Sequence, residues 1–585
     1  MMAYAKRHLA LTVTLALVTP GFAAPQSADP ERLAIEAREA AVFPTATRTI
    51  GGGKGVVSGS ASPIAVEAGA NVLREGGTAA DAAVTTAFAQ VTAMLGANVS
   101  FAGVAQLVYY EARNGRVYAM DAGWGSWRGE TSRATIPDAD LSLVTGMAPP
   151  ANASGALGRK MLVPGFMGGM EAMHRRFGKL RFARLLAPSI WYAENGVPVT
   201  PLLAGYFSIA TAPLRKTESG RAFALPGGAS PIVGSRFVQP ELAALLKSLA
   251  KDGARYMYSG AWAQRYVETV RGAGGAATLA EMRAYAPSWG EPLLYSSAGA
   301  TLAGPAATNT SGCAVLEALN LIDHSGSARE GGEAFRTTAL ALRTAIYGHH
   351  GPAAAAFEKR VGVGGTCAAR VTPEYGAAAA LAMEEMLGAD VPTDPGHHSA
   401  SVVAVDRWGN VAALVHSSNT AVWGDSGLVL GGVPLPVPAS IYRHLLTAIA
   451  PGARLPSDMT PMILLERGKP VAAVAAIGSS VVPETLRLVS GLRRADADLP
   501  ALAAAPPLLL NYEQLGVPLL ARDELVPAGR YPVDMLEALR KRGLPIREVD
   551  AQRVLYVRGT AAFVALRGST ASAEVPGVLV FAAAE

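Results

Sequence analysis

Two short apolar runs, residues 401–406 and 411–416, flank a turn at Asp406-Arg-Trp-Gly-Asn410. Each run is short and apolar, as a buried strand is, and the turn residues between them are typical of a tight strand connection. A small hydroxyl residue, Ser399, stands just before the first run. The segment therefore predicts a strand, a turn and a second strand, with a serine at the entrance.

Ser399 is a candidate nucleophile only if a base stands beside its hydroxyl group. A cut between His398 and Ser399 would give Ser399 a free α-amine with a pKa of about 8, and that amine can act as the base. Residues 392–396 form a polar, exposed-looking link, where chain cleavage is commonly found. Ser401, two residues further on, is the rival nucleophile.

The region before Ser399 is predicted to be largely helical. Ser62-Pro63 supplies an N-cap followed by proline at the first helical position, and Gly76-Gly77 ends this helix. Thr78 caps a second helix, Ala79 to Met94, which is apolar on nearly all faces and should be buried. Further predicted elements are a helix or loose arm within 24–48, a strand at 56–60, a hairpin of 105–110 and 116–120 around Asn114-Gly115, mostly helical structure over 165–350, and helix or partly disordered chain over 371–389.

The region from Ser399 onward changes to strands. The predicted elements are strands at 401–406, 411–416, 461–465 and 471–476, helices at 483–492 and 532–542, and a hairpin of 553–557 with 562–566. Strands and helices in blocks, without strict alternation, favour sheet layers covered by helices. The 585 residues, half of them hydrophobic, are ample for a large buried core.

The N-terminus has the pattern of a secretory signal. Lys6 and Arg7 form a positive start, Leu9 to Val18 is an apolar stretch too short to cross a bilayer, and Gly21-Phe22-Ala23 offers small residues for cleavage after Ala23. We therefore predict a signal peptide, 1–23, and a secreted or periplasmic protein; an uncleaved anchor is the alternative. No stable membrane span is expected later, because the later apolar stretches are interrupted by Gly, Pro or charge.

Charge and cysteine content exclude several classes of function. The net charge is +5, of which Lys6 and Arg7 supply two, and no basic stripe with interleaved aromatic residues occurs, so no nucleic-acid partner is expected. Cys313 and Cys367 can pair in an exported chain but make no metal framework. The adjacent histidine pairs at 349–350 and 397–398 lack the spacing that suits a helical zinc site, so no metal site is predicted.

Several motifs, in one shared order, resemble the γ-glutamyltransferase (γ-glutamyltranspeptidase) family. They are Glu75-Gly-Gly-Thr-Ala-Ala-Asp-Ala-Ala-Val84, Val163-Pro-Gly165 with Arg176-Phe-Gly-Lys-Leu180 and Leu186-Ala-Pro188, Thr310-Ser-Gly-Cys313, Ser417-Ser-Asn-Thr420 with Gly424-Asp-Ser-Gly427, and Pro456-Ser-Asp-Met-Thr-Pro461. The segment after Ser399 resembles the family's Thr-Thr-His-x-Ser-Val-Val-Asp-x-x-Gly-Asn, whose first Thr is the nucleophile at the start of the small subunit. Counting back from Asp406 places Ser399 in that nucleophile's position.

The resemblance implies an α+β fold, a four-layer αββα sandwich of the N-terminal nucleophile hydrolase type. It also implies a large-subunit region, 24–398, and a small-subunit region, 399–585, which form one unit and stay associated after self-cleavage. The implied substrate is a small-molecule or peptide amide, and no cofactor is needed.

The resemblance also assigns roles to further residues. Ser417 matches a Thr that hydrogen-bonds the nucleophile, and Asn419 matches an Asn that contacts substrate. Gly478 and Ser479 fall where the family has two glycines whose backbone N–H groups form the oxyanion hole. Ser457 and Asp458 replace a pair of substrate-binding serines. The alternatives are ordinary hydrogen bonds across a hairpin for Ser417 and Asn419, and a simple strand-to-helix turn for Gly478 and Ser479.

The chain departs from the family where the charged ends of a glutamyl group are bound. Asp121-Ala-Gly-Trp-Gly-Ser-Trp127 lacks the family's Arg, Arg128 is out of register, and 431–438 contains no acid. Each lost charge-assisted hydrogen bond is worth roughly 1.5–3 kcal/mol, so glutathione is expected to be a poor substrate. Trp124, Trp127 and Trp423 are candidates for a more apolar acyl pocket, with a place in the core as the alternative.

Three functions follow from these observations. The leading hypothesis is an exported, self-cleaving amidohydrolase or acyltransferase with Ser399 as its nucleophile. The second is a non-catalytic, uncleaved homologue that binds a ligand or partner. The third is a true γ-glutamyl hydrolase or transferase with a rearranged charge site that uses Arg128 and Asp458.

Overall fold

The computed structural model describes residues 30–40, 48–51, 55–140, 142, 148–327, 330–349, 352–362, 365–388, 399–420, 422–494, 496–509, 524–550, 559–567, 570–575 and 580–585. Three predicted features lie outside these residues: the signal peptide, the polar link with His397 and His398, and the first strand of the C-terminal hairpin. Within the described residues, no helix is long and apolar enough to cross a membrane.

Helices are most frequent in the described chain before Ser399. They are α1 Pro30–Ala40, α2 Pro63–Arg74, α3 Ala79–Ala93, α4 Phe166–Phe177, α5 Phe182–Asn195, α6 Pro201–Leu214, α7 Glu218–Ala224, α8 Pro240–Asp252, α9 Arg255–Tyr258, α10 Ala261–Gly272, α11 Leu279–Ala284, α12 Thr310–His324, α13 Gly331–Tyr347, α14 Pro352–Val361, α15 Cys367–Arg370, α16 Pro373–Ala382, α17 Pro438–Ile441, α18 Arg443–Ala448, α19 Val481–Leu492, α20 Leu499–Ala504 and α21 Val533–Lys541. Short 3₁₀ turns lie at Arg133–Thr135, Leu157–Lys160, Pro226–Gly228 and Met383–Gly388.

The strands fall on both sides of Ser399. They are β1 Arg48–Gly51, β2 Val56–Ser60, β3 Val104–Glu111, β4 Arg116–Ala122, β5 Val197–Pro198, β6 Arg236–Phe237, β7 Ser288–Gly290, β8 Leu293–Ser297, β9 Ala300–Gly304, β10 Ser399–Val405, β11 Val411–Ser417, β12 Val429–Leu430, β13 Val433–Pro434, β14 Met462–Glu466, β15 Lys469–Ile477, β16 Glu524–Pro527, β17 Ile546–Val549, β18 Thr560–Arg567, β19 Thr570–Val575 and β20 Val580–Ala584. The predicted strand pair after Ser399 is confirmed as β10 and β11.

Two seven-stranded sheets lie at the centre of the molecule. The first sheet has the strand order β1-β19-β18-β15-β14-β9-β8, and the second has the order β20-β2-β10-β11-β3-β4-β7. The sheets face each other, since β10 and β11 contact β15, and β18 contacts both β2 and β10. Helices α2, α3 and α4 pack on the outer face of the second sheet, and α12 and α19 pack on that of the first. The layers are therefore helix, sheet, sheet and helix, as expected.

Both sheets combine strands from before and after Ser399. In the second sheet, β2 lies between β20 and β10, and the pair β10–β11 lies between β2 and β3. In the first sheet, β9 pairs with β14 and β1 pairs with β19. Neither region therefore contains a complete sheet of its own.

Local side-chain contacts explain how the elements around β10 begin. Ser62 accepts a hydrogen bond from the Ala65 N–H and caps α2, while Thr78 and Asp81 form a reciprocal capping box at α3. In the turn between β10 and β11, the Asp406 carboxylate accepts hydrogen bonds from the backbone N–H groups of residues 408 and 410. Its Oδ2 atom also accepts one from the Ala79 N–H, at 2.9 Å. Asp406 thus ties the hairpin turn to the first turn of α3.

The prediction of mostly helical structure over 165–350 is confirmed. The region 165–350 is helical except for short strands, of which β8 and β9 form an edge hairpin of the first sheet. Of the predicted hairpin of 553–557 with 562–566, the first strand lies outside the described residues, and the second is part of β18, whose described neighbours are β15 and β19. β19 follows β18 in sequence and pairs with it antiparallel.

Cys313 of α12 and Cys367 of α15 form a disulfide bond, with 5.6 Å between their Cα atoms. The bond joins two helices of the outer layer that covers the first sheet. Both cysteines precede Ser399 in the sequence, so the bond does not link the two regions on either side of it.

Candidate functional site

Ser399 is the first residue of β10 and lies directly opposite Ser417 of β11. The next pair, Ala400 and His416, points towards the helical layer, since the His416 ring contacts Gln90 of α3. Side chains alternate along a strand, so Ser399 and Ser401 point towards the first sheet. Ser399 is partly exposed, whereas Ser401 is completely buried, two residues deeper between the sheets.

A cavity of about 50 Å³ opens beside Ser399. It brings together five of the seven predicted site residues. Its lining consists of Ser311, Ser399, Val415, Asn419, Asp458, Met459, Ala476, Gly478, Ser479, Val481 and Val482. Segments that are far apart in the sequence thus meet at the entrance to β10.

Ser417 and Ser457, the other two predicted residues, stand behind this lining. The Ser417 Oγ atom accepts a hydrogen bond of 2.9 Å from the Asn419 N–H. The carbonyl oxygen of Ser457 accepts a hydrogen bond of 2.8 Å from the Thr310 N–H at the start of α12. Both residues therefore position backbone segments that do line the cavity.

Asn419 has a left-handed backbone, with φ +48°, and a side chain that is held on both sides. Its Oδ1 atom accepts a hydrogen bond of 3.1 Å from the Trp124 indole N–H. Its amide nitrogen donates one of 2.7 Å to the Tyr442 hydroxyl, which in turn donates one of 2.6 Å to the Asp458 carboxylate. This line of hydrogen bonds, Trp124–Asn419–Tyr442–Asp458, is called the polar relay below.

Gly478 and Ser479 follow the last residue of β15 and precede α19. Gly478 has φ +92°, a conformation that favours glycine, whereas Ser479 is not one of the described non-glycine residues with a positive φ. A side chain at position 479 therefore introduces no backbone strain of that kind. The Ser479 Oγ atom is buried and has no hydrogen-bond partner among the described residues. Both residues of this turn line the cavity that contains Ser399.

The three tryptophans considered for an acyl pocket do not line the cavity. Trp127 and Trp423 are buried, and their indole N–H groups donate to the carbonyl oxygens of Met161 and Leu95. Trp124 reaches the site only through Asn419. The prediction of a pocket wall made of tryptophan is wrong, and the alternative of a place in the core holds for Trp127 and Trp423.

Arg128 does not contribute to the cavity either. It is exposed, its backbone N–H donates to the Glu281 carboxylate, and its side chain lies against Gly452. Asp458 does line the cavity. A rearranged charge site that combines Arg128 with Asp458 is therefore not assembled in this structure.

Sequence reasoning missed two residues of the site. Tyr442, at the junction of α17 and α18, joins Asn419 to Asp458, and no motif marks it. Ser311, in the first turn of α12, lies in the Thr310-Ser-Gly-Cys313 motif, but no role was assigned to it. Asn309 positions that turn, since its side chain accepts from the Gly312 N–H and donates to the carbonyl oxygen of Met459.

His416 is close to Ser399 in sequence but belongs to the buried core. Complete burial lowers the pKa of its imidazole to about 3, from an ordinary value near 6.5. Its Nε2 atom lies 2.7 Å from the side-chain oxygen of Gln90, so the neutral ring carries its proton on Nε2 and donates a hydrogen bond to that oxygen. Its ring faces the helical layer and does not act on Ser399.

This burial predicts a pH dependence of stability. Below about pH 6.5, the unfolded chain binds a proton at His416 that the folded chain rejects, so stability is lost as the pH falls from 6.5 towards 3. As the pH is lowered, we expect the free energy of unfolding of the wild-type protein to decrease more steeply than that of His416→Gln. The difference in slope should be about 1.4 kcal/mol per pH unit. Urea unfolding at pH 7, 6 and 5 measures this difference, with Ser399→Ala added to both proteins so that each unfolds as one chain. Parallel pH profiles would contradict it.

Comparisons with known proteins agree with this geometry. The family model described as Gamma-glutamyltranspeptidase matches residues 65–561. The "Acylase ACY 1 proenzyme" of Pseudomonas sp. (strain SE83) is 26% identical over 447 residues, 74% of this chain and 78% of that protein. The "Glutathione hydrolase proenzyme" of Pseudomonas aeruginosa is 27% identical over 531 residues, 83% of this chain and 88% of that protein.

A solved structure resembles the whole fold. The cephalosporin acylase from Bacillus halodurans superposes with a TM-score of 0.73 at 20% sequence identity, over 93% of this chain and 98% of that one. At this identity the likeness concerns the fold. Together with the observed layers, it confirms the α+β, αββα architecture of the N-terminal nucleophile hydrolases.

Proposed function

Because the chain belongs to the gamma-glutamyltranspeptidase family, whose members are amidohydrolases and acyltransferases of the N-terminal nucleophile type, we propose that Ser399 is its nucleophile, released by self-cleavage after His398. The main support is the shared cavity, in which Ser399 faces Gly478 and Ser479. The word "proenzyme" in the names of both relatives also supports self-cleavage. The large fragment, 24–398, and the small fragment, 399–585, would remain associated through the two sheets, to which both contribute strands.

The proposed reaction follows from these positions. The α-amine of Ser399, with a pKa of about 8, takes the hydroxyl proton as Oγ attacks the carbonyl carbon of the substrate amide. The developing oxyanion accepts hydrogen bonds from the Gly478–Ser479 turn. The amine leaving group departs with the proton, and an acyl ester remains on Ser399. Water or an acceptor amine then attacks the ester and releases the acyl group.

The proposal includes export from the cytoplasm. The features that support it are the signal-like N-terminus and the disulfide bond between Cys313 and Cys367. Disulfides persist in the periplasm and outside the cell and are rare in the cytosol.

Mass spectrometry of the mature protein tests cleavage and export together. We expect two fragments on a denaturing gel, one beginning at residue 24 and one beginning at Ser399. They should separate without a reducing agent, because both cysteines belong to the large fragment. A single intact chain that hydrolyses no amide in a substrate panel would instead favour the non-catalytic homologue.

A further inference from the structure

The cavity beside Ser399 contains one ionisable side chain among its lining residues, that of Asp458. The other side chains of the lining are apolar or carry neutral hydroxyl and amide groups. Whatever acyl group enters this cavity therefore meets the carboxylate of Asp458, and the only basic group that the proposed cleavage adds to the lining is the Ser399 α-amine, which serves as the base at the reacting carbonyl. The cavity volume of about 50 Å³ is several times the roughly 10–15 Å³ that one water needs, so it accommodates only a few heavy atoms.

The polar relay determines how the Asp458 carboxylate is held. The Trp124 indole can only donate, so Asn419 must accept with its oxygen and donate with its nitrogen. The single proton of the Tyr442 hydroxyl then goes to Asp458, at 2.6 Å. Every donor in this line points towards the carboxylate, and aligned hydrogen bonds of this kind strengthen one another. The relay orients the carboxylate and supplies no positive charge.

No basic side chain balances Asp458. Asp458 takes part in no ion pair among the described residues. The arginines of the adjoining segments bind other groups. Arg454 bonds to the backbone and side chain of Asp121, and Arg443 to Asp138 and the carbonyl oxygen of Ile136. A buried or partly buried charge without a counter-charge is costly unless a ligand supplies one.

We propose that Asp458 makes this site selective for a short acyl group that ends in a positively charged amine, and that it disfavours acyl groups that end in a carboxylate. The inference rests on the proposed function, because it concerns the acyl group transferred to Ser399. A ligand ammonium would form a charge-assisted hydrogen bond with Asp458. A ligand carboxylate would face a like charge, and no basic residue of the lining compensates for it.

Three p-nitroanilides test this selectivity, of which the β-alanyl and butanoyl compounds are nearly isosteric and the succinyl compound is larger by two oxygen atoms. The β-alanyl, butanoyl and succinyl compounds share the same backbone and end in an ammonium, a methyl and a carboxylate group. We expect kcat/KM for β-alanyl to exceed that for butanoyl by about 10- to 100-fold, the range of a hydrogen bond to a charged group. Succinyl should be the poorest. Asp458→Asn, which keeps the shape, should bring the β-alanyl-to-butanoyl ratio close to one.

Two control variants separate charge from structure. Tyr442→Phe removes the hydrogen bond of the relay but keeps the carboxylate, so the β-alanyl-to-butanoyl ratio should fall and remain above that of Asp458→Asn. Glu291→Gln removes the same unit of charge from an exposed side chain that does not line the cavity, and should leave the ratio unchanged. The ratio is informative because a general loss of stability lowers both rates together.

The outcomes distinguish this inference from the proposed function. If butanoyl anilide is hydrolysed and Asp458→Asn leaves the ratio unchanged, the proposed function stands and the role of Asp458 is refuted. If no anilide is hydrolysed, the proposed function fails. The role of Asp458 is then tested by measuring ligand binding. Saturation-transfer NMR with the wild-type protein should then show tighter binding of β-alaninamide than of butanamide; equal binding, or none, overturns the inference.

Discussion

Ser399→Ala is expected to leave the polypeptide uncut and to lower amide hydrolysis by about 10⁴-fold or more, as loss of a catalytic serine does elsewhere. The reason is that one hydroxyl group serves twice: it attacks the peptide bond before residue 399, and it attacks the substrate after its own amine is free. The side chain is only partly exposed and ends in one oxygen, so alanine removes the chemistry with little change in packing. A denaturing gel and p-nitroaniline release measure the two effects.

Matched variants make this result specific. Ser401→Ala removes the same atom from the same strand face, two residues deeper, and should cleave and hydrolyse normally. Ser399→Thr introduces the residue that the family has at this position and, unlike Ser399→Ala, should still be cleaved. Normal fragments from Ser399→Ala would refute its role, and loss of cleavage in Ser401→Ala alone would transfer that role to Ser401.

Asp425→Ala is expected to lower the free energy of unfolding by about 3–5 kcal/mol, because it leaves a buried charge without its partner. Lys160 has no exposed surface, and its ammonium lies 2.6 Å from the Asp425 carboxylate. The ammonium also donates to the carbonyl oxygen of Ala153, and the carboxylate accepts from the Asp140 N–H, both at 2.7 Å. Without Asp425, the charge of Lys160 would keep a single neutral acceptor among the described contacts.

Urea unfolding in the Ser399→Ala background measures this loss, since there the protein should unfold as one chain. Asp252→Ala is the matched control. It removes a surface carboxylate paired with Arg255 at 3.1 Å, and it should cost less than about 1 kcal/mol. A cost of Asp425→Ala as small as that of the control would show that water or neighbouring groups compensate for Lys160.

Elements whose signals are local could be predicted from the sequence. Ser62 and Thr78 cap their helices through residues three positions further on, so the pattern is visible in a short window. The turn at Asp406 and Gly409 was visible for the same reason. What was not visible is that the Asp406 carboxylate also bonds the Ala79 N–H, because that contact joins residues 327 positions apart.

Strand pairing was harder to predict than strand position. β8 and β9 are short, rich in small and hydroxyl residues, and partly exposed at a sheet edge, so they lack the apolar signal of β10 and β11. The pairing of β18 with β15 and β19 depends on which strands complete the sheet, and residue patterns alone do not show this.

The candidate site was predicted as far as motifs extend. Ser399, Asn419, Asp458 and the Gly478-Ser479 pair belong to four separate motifs, and the structure brings them to one cavity. Tyr442 could not be predicted, because its importance arises from contacts with two loops, 16 and 23 residues away.

The mixing of strands from both fragments in each sheet has a consequence for the lifetime of the cut protein. Once the chain is cleaved, β2 still lies between β20 and β10, and β3–β11, β1–β19 and β9–β14 also join the fragments, so separation must break the backbone hydrogen bonds of five strand pairs. Reassembly from denaturant would then become a second-order reaction between two incomplete polypeptides. Cleavage would therefore make the stability of the mature protein kinetic. The cleaved protein should have a long lifetime because it unfolds slowly, and once unfolded at low concentration it should not refold.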